Sequence, residues 1–187
     1  GPDLERKTIR QAYARAAELP GLKAVGIDMH IGSQIIDLEP FDEAIRLLAE
    51  LALALRADGH AISHIDLGGG LGIPYRMDND PPPLPEAYGD IVRKHTGSLG
   101  MKVLCEPGRL IVGNAGVLVT SVLYVKGGDH KNFVIVDAAM NDLLRPALYD
   151  AHHAVLPLRE ASGEAKVWEL VGPVCESGDF LARDRML

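Results

Sequence analysis

Apolar and polar residues follow two different periods along the first part of the chain. Three short runs are mostly apolar and end at glycine or proline, which is typical of buried strands in a parallel sheet: residues 22–31, 61–72 and 101–107. The segments before and between them have apolar residues at the spacing of a helix face: residues 3–18, 40–57 and 86–94. This alternation predicts an α/β fold around a parallel sheet.

After Arg109 the pattern changes to β-rich segments with no helix of comparable length between them. These segments are residues 116–127, 132–138 and 165–172. They predict a second, mainly antiparallel β region. We therefore expect two domains, residues 1–113 and residues 114–187.

Composition narrows the possible partners and the compartment. The chain has 187 residues and a formal net charge of −7, and it has no run of basic residues, so we expect no nucleic acid and no membrane as partner. Its two cysteines give neither a disulfide framework nor a zinc site, and no apolar stretch reaches the roughly 18 residues of a membrane span. We expect a cytoplasmic protein without a metal. Because the first residue is not methionine, we also expect a piece of a longer protein.

A glycine-rich loop, Gly68-Gly69-Gly70-Leu71-Gly72, follows the second predicted strand. Such glycines let backbone N–H groups approach a phosphate, because no Cβ blocks the approach and a positive φ is accessible. The dinucleotide-binding fingerprint requires a helix directly after the glycines, whereas a proline-rich segment follows here. Taken alone, the loop fits either a phosphate site or a plain tight turn.

Polar side chains also follow the other two predicted strands. His30 and Ser33 come after the first strand, and Glu106 and Arg109 come after the third. Each pair alone also fits an ordinary exit from strand to loop. Because the carboxyl ends of parallel strands meet at one edge, the three sets together favour a site for a phosphorylated aromatic cofactor.

Five motifs carry a more specific resemblance. They are, in chain order, HIGSQ, DLGGGLG, CEPGR, DLLRPALY and GPVCESGD. In order and approximate spacing they resemble those of the diaminopimelate decarboxylases, a family of PLP-dependent enzymes of the alanine-racemase-like group (fold type III). The resemblance implies the C-terminal part of a PLP-binding (β/α)8 TIM barrel, followed by part of a mainly antiparallel β domain.

The resemblance also implies which residues hold pyridoxal 5′-phosphate. His30 would stack on the pyridine ring. Glu106 would bind the ring nitrogen, where a carboxylate favours the protonated form. The remaining cofactor-binding residues would hold the phosphate: Ser33, Gly68, Gly69, Gly70, Gly108 and Arg109.

For the substrate the resemblance implies meso-2,6-diaminopimelate, which enzymes of this family convert to L-lysine and CO₂. The substrate contacts would be Arg109, Arg145, Tyr149 and Glu176. A cation would bind the distal carboxylate of the substrate, and an anion would bind its distal ammonium. Cys175 resembles the catalytic proton donor, which reaches the active site of the neighbouring subunit in a homodimer. A small buried residue is the alternative interpretation of Cys175, and it is our interpretation of Cys105.

The chain departs from the family pattern in one main respect. The lysine that forms the Schiff base lies on an early barrel strand in this family, and no lysine of this chain matches its motif. We therefore expect residues 1–187 alone to be inactive. The resemblance also implies that the three strands are the last three of the eight-stranded barrel, and because such a remnant has unpaired edges and an exposed inner face, we expect residues 1–187 alone to be poorly stable or to aggregate. Two other functions stay open: a fold type III decarboxylase of the ornithine or arginine type, and a non-catalytic PLP-barrel protein that binds a partner.

Overall fold

The computed structural model describes residues 2–76, 83–159 and 164–187, with side chains from residue 7 onward. These residues form two compact units. The first contains residues 2–73 and 83–115, and the second contains residues 74–76, 116–159 and 164–187. The sequence predicted a boundary between residues 113 and 114, and in the structure it lies between residues 115 and 116. The main difference from the prediction is that residues 74–76 belong to the β-rich unit.

The first unit follows the expected alternation of helix and strand. Its elements are α1 (Pro2–Ala17), β1 (Gly26–Asp28), α2 (Glu39–Ala57), β2 (His64–Asp66), α3 (Pro85–Thr96), β3 (Lys102–Leu104) and α4 (Gly108–Val112). The strands form a parallel sheet in the order β1-β2-β3. The α/β class is thereby confirmed, whereas membership of a complete barrel stays a prediction.

Helix α2 supplies most of the core of the first unit, because its apolar residues repeat every three or four positions. Phe41, Ile45 and Leu55 on this face are each fully buried, and so is Ile65 of β2 in the same cluster. The ring of Phe41 meets the ring of Tyr88 on α3 edge-on, with 5.1 Å between the ring centroids. A proline in the first turn of both helices fixes where each begins.

Strand β3 is less buried than its apolar sequence suggested. Within the described residues it pairs only with β2, so one of its edges has no neighbouring strand. Leu104 is 36% exposed, and Cys105 is exposed as well. The prediction that Cys105 is a core residue is therefore wrong for this chain, because Cys105 directly follows a strand that is itself only partly buried.

The second unit contains β4 (Val122–Lys126), β5 (Phe133–Val136), α5 (Arg145–Tyr149), β6 (Val167–Val171) and β7 (Phe180–Met186). Its four strands form one sheet in the order β4-β5-β6-β7. Two pairings are antiparallel, but β5 and β6 are parallel, so the sheet is mixed rather than simply antiparallel. Its core is small and is formed by Val136, Ala138, Leu170, Leu181 and Ala182. All five residues of β4 are exposed.

No helix among the described residues is long and apolar enough to cross a membrane.

A cluster of charges joins helices α2 and α3. The Asp42 carboxylate accepts hydrogen bonds from Lys94 Nζ at 2.8 and 3.0 Å and from His95 Nε2 at 2.8 Å. The bond from Lys94, and then the one from His95, hold the pKa of Asp42 below its usual value. The charged form of Asp42 therefore stabilises the folded state.

This cluster predicts a pH-dependent loss of stability in Asp42→Asn. A lowered pKa in the folded state gives stability that is present above the unfolded pKa, about 3.9, and that is lost as the pH falls through the folded pKa. Urea unfolding should show Asp42→Asn less stable than the unmodified protein at neutral pH, and the difference should shrink below about pH 4. Asp90→Asn is the matched control, because Asp90 pairs with Arg93 only at the exposed surface. A difference that is independent of pH would contradict the assignment.

Candidate functional site

The carboxyl ends of the three parallel strands lie in register. Asp28 pairs with Asp66, and Asp66 pairs with Leu104. Two residues beyond these positions stand His30, Gly68 and Glu106, one on each strand exit. We call the segments that leave the carboxyl ends of the three strands the strand edge, defined by residues 29–35, 67–73 and 105–109. This term does not refer to the unpaired side of β3.

Backbone hydrogen bonds continue between the three segments that follow the strands, past the end of the sheet. Met29 N donates to Asp66 O at 3.2 Å, Leu67 N donates to Leu104 O at 3.0 Å, and Glu106 N donates to Gly68 O at 2.8 Å. The exits therefore stay together for two residues beyond the strands. This is why predicted site residues that are far apart in sequence meet at one edge.

The glycines of the central exit are required by close backbone contacts. A side chain at Gly68 would place its Cβ 2.3 Å from Met29 O, and one at Gly69 would place it 2.2 Å from Glu106 O. At Gly70 the Cβ would lie 2.3 Å from Gly32 O. Gly68 and Gly70 also have positive φ values of 65° and 107°. Only glycine fits between the two flanking exits, and a Cβ at Gly68 would also lie 3.3 Å from His30 Nδ1.

Asp66 organises the first turn of this loop and had no role in the sequence interpretation. Its Oδ1 accepts a hydrogen bond from Gly68 N at 2.9 Å. An aspartate that bonds the backbone two residues further on forms an Asx turn, so the Asp two positions before the first glycine was the available signal. An anion that used the Gly68 amide would compete with this carboxylate.

The CEPGR segment turns sharply into a short helix. Gly108 N donates to Glu106 O at 2.8 Å around Pro107, whose φ of −79° and ψ of 47° are close to an inverse γ-turn. Helix α4 starts at once and carries the half-buried Arg109. Arg109 Nη1 donates to Gln34 Oε1 at 3.2 Å, which ties the third exit to the first.

The chemistry at the strand edge fits a phosphorylated aromatic group. His30, Ser33 and Glu106 are exposed and supply a flat ring, a hydroxyl and a carboxylate. Arg109 and glycine backbone without Cβ atoms stand beside them, as phosphate binding requires. The parts of the chain that the structure describes hold no group of three His, Cys, Asp or Glu side chains placed to bind a metal ion.

In the second unit, helix α5 carries Arg145 and Tyr149 on one face, four residues apart. The guanidinium carbon of Arg145 lies 5.9 Å from the centroid of the Tyr149 ring and 6.0 Å from that of Tyr75. Arg145 Nη2 also donates to the Tyr75 hydroxyl at 3.4 Å. Arg145 is therefore half-buried and held between two aromatic rings, while Tyr149 is exposed.

Cys175 and Glu176 lie in the loop of residues 172–179, which we call the Cys175 loop. Both residues are exposed. Glu176 Oε1 accepts hydrogen bonds from Gly178 N at 3.1 Å and from Ser177 Oγ at 3.0 Å. These bonds, the one from Gly178 first, hold the pKa of Glu176 below its usual value. Glu176 is therefore held as a negative charge within the Cys175 loop.

A buried carboxylate, Asp179, anchors the Cys175 loop. Asp179 is 4% exposed, and its Oδ2 accepts from Val174 N at 2.8 Å within the loop. Its Oδ1 accepts from Met140 N at 2.6 Å, in the turn that precedes α5. A side chain at Gly172 would place its Cβ 2.4 Å from Asp179 Oδ2. The sequence interpretation gave Asp179 no role, because the last residue of GPVCESGD has no local pattern that reveals this contact.

The two cysteines differ in their surroundings. The partial enclosure of the Cys105 thiol, and then the negative charge of Asp66, raise the pKa of Cys105 above its usual value. Cys105 is consequently a weak candidate for proton transfer or nucleophilic chemistry. Cys175 lies on an exposed loop, and its role as proton donor stays a prediction.

Comparison with known sequences decides the family. Residues 14–187 match the profile described as "Pyridoxal-dependent decarboxylase, C-terminal sheet domain". The chain belongs to the pyridoxal-dependent decarboxylases. The PLP cofactor predicted from the motifs agrees with this family and with the donor groups of the strand edge.

Individual relatives of this decarboxylase chain carry a more specific name. It is 51% identical over 177 residues to the diaminopimelate decarboxylase of Neisseria meningitidis serogroup A, covering 95% of this chain and 43% of that protein. It is 51% identical over 175 residues to the enzyme of Pseudomonas aeruginosa, covering 94% of this chain and 42% of that protein.

The structural comparison agrees with these relatives. The crystal structure of diaminopimelate decarboxylase from Helicobacter pylori complexed with L-lysine matches with a TM-score of 0.88 and 39% identity, covering 97% of this chain and 45% of that one. The predicted resemblance is confirmed. The chain spans less than half the length of the relatives that it matches.

The predicted site residues of this decarboxylase chain divide between the two units. The strand edge of the first unit brings together His30, Ser33, Gly68, Gly69, Gly70, Glu106, Gly108 and Arg109. The second unit carries Arg145 and Tyr149 on α5 and Cys175 and Glu176 on the Cys175 loop. Their individual roles stay predictions.

The anchoring of the Cys175 loop predicts faster amide exchange in Asp179→Asn. An asparagine has the same shape as the aspartate. Its NH₂ group, however, would point a donor at one of the two backbone N–H groups that donate to the carboxylate in the unmodified protein. Because hydrogen bonds to charged groups contribute roughly 1.5–3 kcal/mol, exchange at Val174 or Met140 should accelerate at least about 10-fold. Mass-spectrometric hydrogen exchange of peptides containing residues 139–143 and 172–179 measures this. Asp129→Asn, in the exposed β4–β5 turn, is the control, and equal exchange in both variants would contradict the anchor.

Proposed function

We propose that the full-length protein to which this chain belongs decarboxylates meso-2,6-diaminopimelate to L-lysine and CO₂. The observation that carries this proposal is the convergence of His30, Gly68 and Glu106 at one strand edge within a chain of the PLP-dependent decarboxylase family. Relatives with about 50% sequence identity to this chain are named for this reaction. The Helicobacter pylori enzyme was crystallised with L-lysine, the product expected here.

The strand edge supplies the groups that would hold the cofactor. His30 would lie against the face of the pyridine ring. Glu106 would bind the ring nitrogen and keep a proton on it, since a nearby carboxylate favours the cationic form. Ser33, the glycine loop and Arg109 would bind the phosphate. When bound, PLP supplies an electron sink for the charge left on the α-carbon as CO₂ departs.

The second unit supplies groups suited to a substrate with a second amino-acid head. Arg145, held between Tyr75 and Tyr149, would grip the distal carboxylate, and the pre-formed charge of Glu176 would bind the distal ammonium. Cys175 would return a proton to the α-carbon. The substrate of a diamine-forming enzyme has no distal carboxylate, so Arg145 would have nothing to bind there. Its presence favours diaminopimelate over ornithine as substrate.

The larger architecture follows from the same proposal. The three parallel strands would be the last three of an eight-stranded (β/α)8 barrel, and the mixed sheet would be part of the β domain that follows it. The protein would act as a cytoplasmic homodimer whose Cys175 serves the neighbouring subunit. The Schiff-base lysine would come from the part of the protein that precedes this chain.

Substrate preference tests the proposal directly. The full-length protein with PLP should release CO₂ from meso-diaminopimelate with a kcat/KM at least about 100-fold above that for L-ornithine or L-arginine, because sites built around polar partners reject substrates that leave them unpaired. A preference for ornithine or arginine would assign the protein to the other decarboxylases. Bound PLP without CO₂ release from any of the three would make it a non-catalytic binding protein.

The role of Glu106 predicts a loss of turnover without a loss of cofactor. Glu106→Gln keeps the shape of the side chain but removes the charge that holds a proton on the ring nitrogen. We expect kcat to fall about 100-fold, the size typical for removal of one preorganised electrostatic group, while the PLP dissociation constant changes by only a few-fold. Glu86→Gln, at the start of α3, is the matched control. A kcat unchanged in Glu106→Gln would refute the assignment.

A further inference from the structure

Gln34 has a backbone conformation that its side chain does not favour. Its φ is 59°, in the left-handed region, where residues other than glycine, asparagine and aspartate are uncommon. Among the described residues, the other two non-glycine residues of this kind are Asp150 and Asp184. A glutamine here keeps its position only if its contacts offset the backbone strain.

The side-chain amide of Gln34 pairs with the backbone at the end of the glycine loop. Gln34 Nε2 donates to Ile73 O at 2.6 Å, and Ile73 N donates to Gln34 Oε1 at 3.2 Å. The pairing extends a backbone ladder in which Ile35 N donates to Gly70 O and Gly72 N donates to Ile35 O. The amide therefore acts as one more rung between the first and second strand exits.

The same amide oxygen also receives a hydrogen bond from Arg109 of the third exit, at 3.2 Å from Nη1. The side chain of Ile73 also packs against Gly113, the residue directly after α4, since a side chain at Gly113 would place its Cβ 2.3 Å from Ile73 Cδ1. Gln34 thus joins all three strand exits through one side chain, and its amide oxygen is a hydrogen-bond acceptor for the Arg109 guanidinium.

The neutral charge of this partner matters for Arg109. An amide oxygen orients a guanidinium without cancelling its positive charge, whereas a carboxylate at the same place would form an ion pair and compete with an anionic ligand. The contact with Gln34 therefore orients Arg109 without itself neutralising its positive charge.

We propose that Gln34 is a positioning residue, which holds the guanidinium of Arg109 at the strand edge for binding of an anionic group. The proposal rests on the proposed function for the role of Arg109, and it adds that this role depends on Gln34. The proposal assigns Gln34 no contact with the cofactor or the reacting atoms. The backbone bonds of Ile35 to Gly70 and Gly72 hold the glycine loop without the Gln34 side chain, so we expect the effect of removing it on anion binding to act mainly through Arg109.

A double-mutant cycle in the full-length protein tests the dependence. Gln34→Gly removes the amide and suits the left-handed backbone, so the loop should keep its fold. In the unmodified background we expect a rise of about 10-fold in the PLP dissociation constant or in the KM for meso-diaminopimelate. In the Arg109→Met background the same change should raise neither quantity more than about 2-fold. Equal effects in both backgrounds, or no effect of Gln34→Gly in either, would overturn the proposal.

Two further variants keep the test decisive. Gln34→Asn tolerates a left-handed backbone but is one methylene shorter, and it is read in the same two backgrounds if Gln34→Gly does not fold. Asp184→Gly changes another left-handed residue, in the second unit, and should leave PLP affinity unchanged. PLP titration followed by absorbance needs no turnover, so coupling in PLP affinity together with absent CO₂ release would refute the proposed function and retain the Gln34 proposal.

Discussion

The candidate site depends on the close approach of three backbones at the exits of a parallel sheet. Carbonyl oxygens of Met29, Glu106 and Gly32 occupy the places where side chains of residues 68–70 would otherwise project. The glycines are therefore needed first to let the exits meet, and only then to expose backbone to a phosphate. A side chain at Gly68 would push against the first exit and one at Gly69 against the third, so either would disturb the spacing between His30 and Glu106.

The second unit holds its functional loops in a different way. Its apolar core is small, and the Cys175 loop is fixed by one buried carboxylate that accepts backbone hydrogen bonds from both Val174 and Met140. Hydrogen bonds to a charged acceptor inside a protein are stronger than neutral ones, and an unpaired buried carboxylate is costly. Asp179 therefore makes the position of the loop depend on the turn before α5, which carries Arg145. Packing holds the strand edge of the first unit together, and polar anchoring holds the Cys175 loop of the second unit in place.

Sequence patterns were sufficient where structure is periodic or local. The apolar spacing of α2 and the runs around β1, β2 and β3 identified the parallel sheet, and the sheet in turn placed His30 and Glu106 at one edge. Five-residue helices such as α4 and α5 are too short to show a period, and β7 was missed because charged residues interrupt it. Gln34 and Asp179 could not be assigned, because each contact joins residues 39 positions apart and has no local signal.

Exposure of the strand edge also determines what its charges can do. Glu106 and His30 are both open to water in the described chain, and there the attraction between a carboxylate and a protonated ring nitrogen is strongly screened. The attraction between a carboxylate and the protonated nitrogen of a pyridine ring is several times stronger once water is excluded. A carboxylate that must hold a proton on a pyridine nitrogen therefore needs polypeptide packed over it as well as correct placement. The residues of the strand edge supply the charges and their placement, and under the proposed function burial of that edge would strengthen their effect on the cofactor.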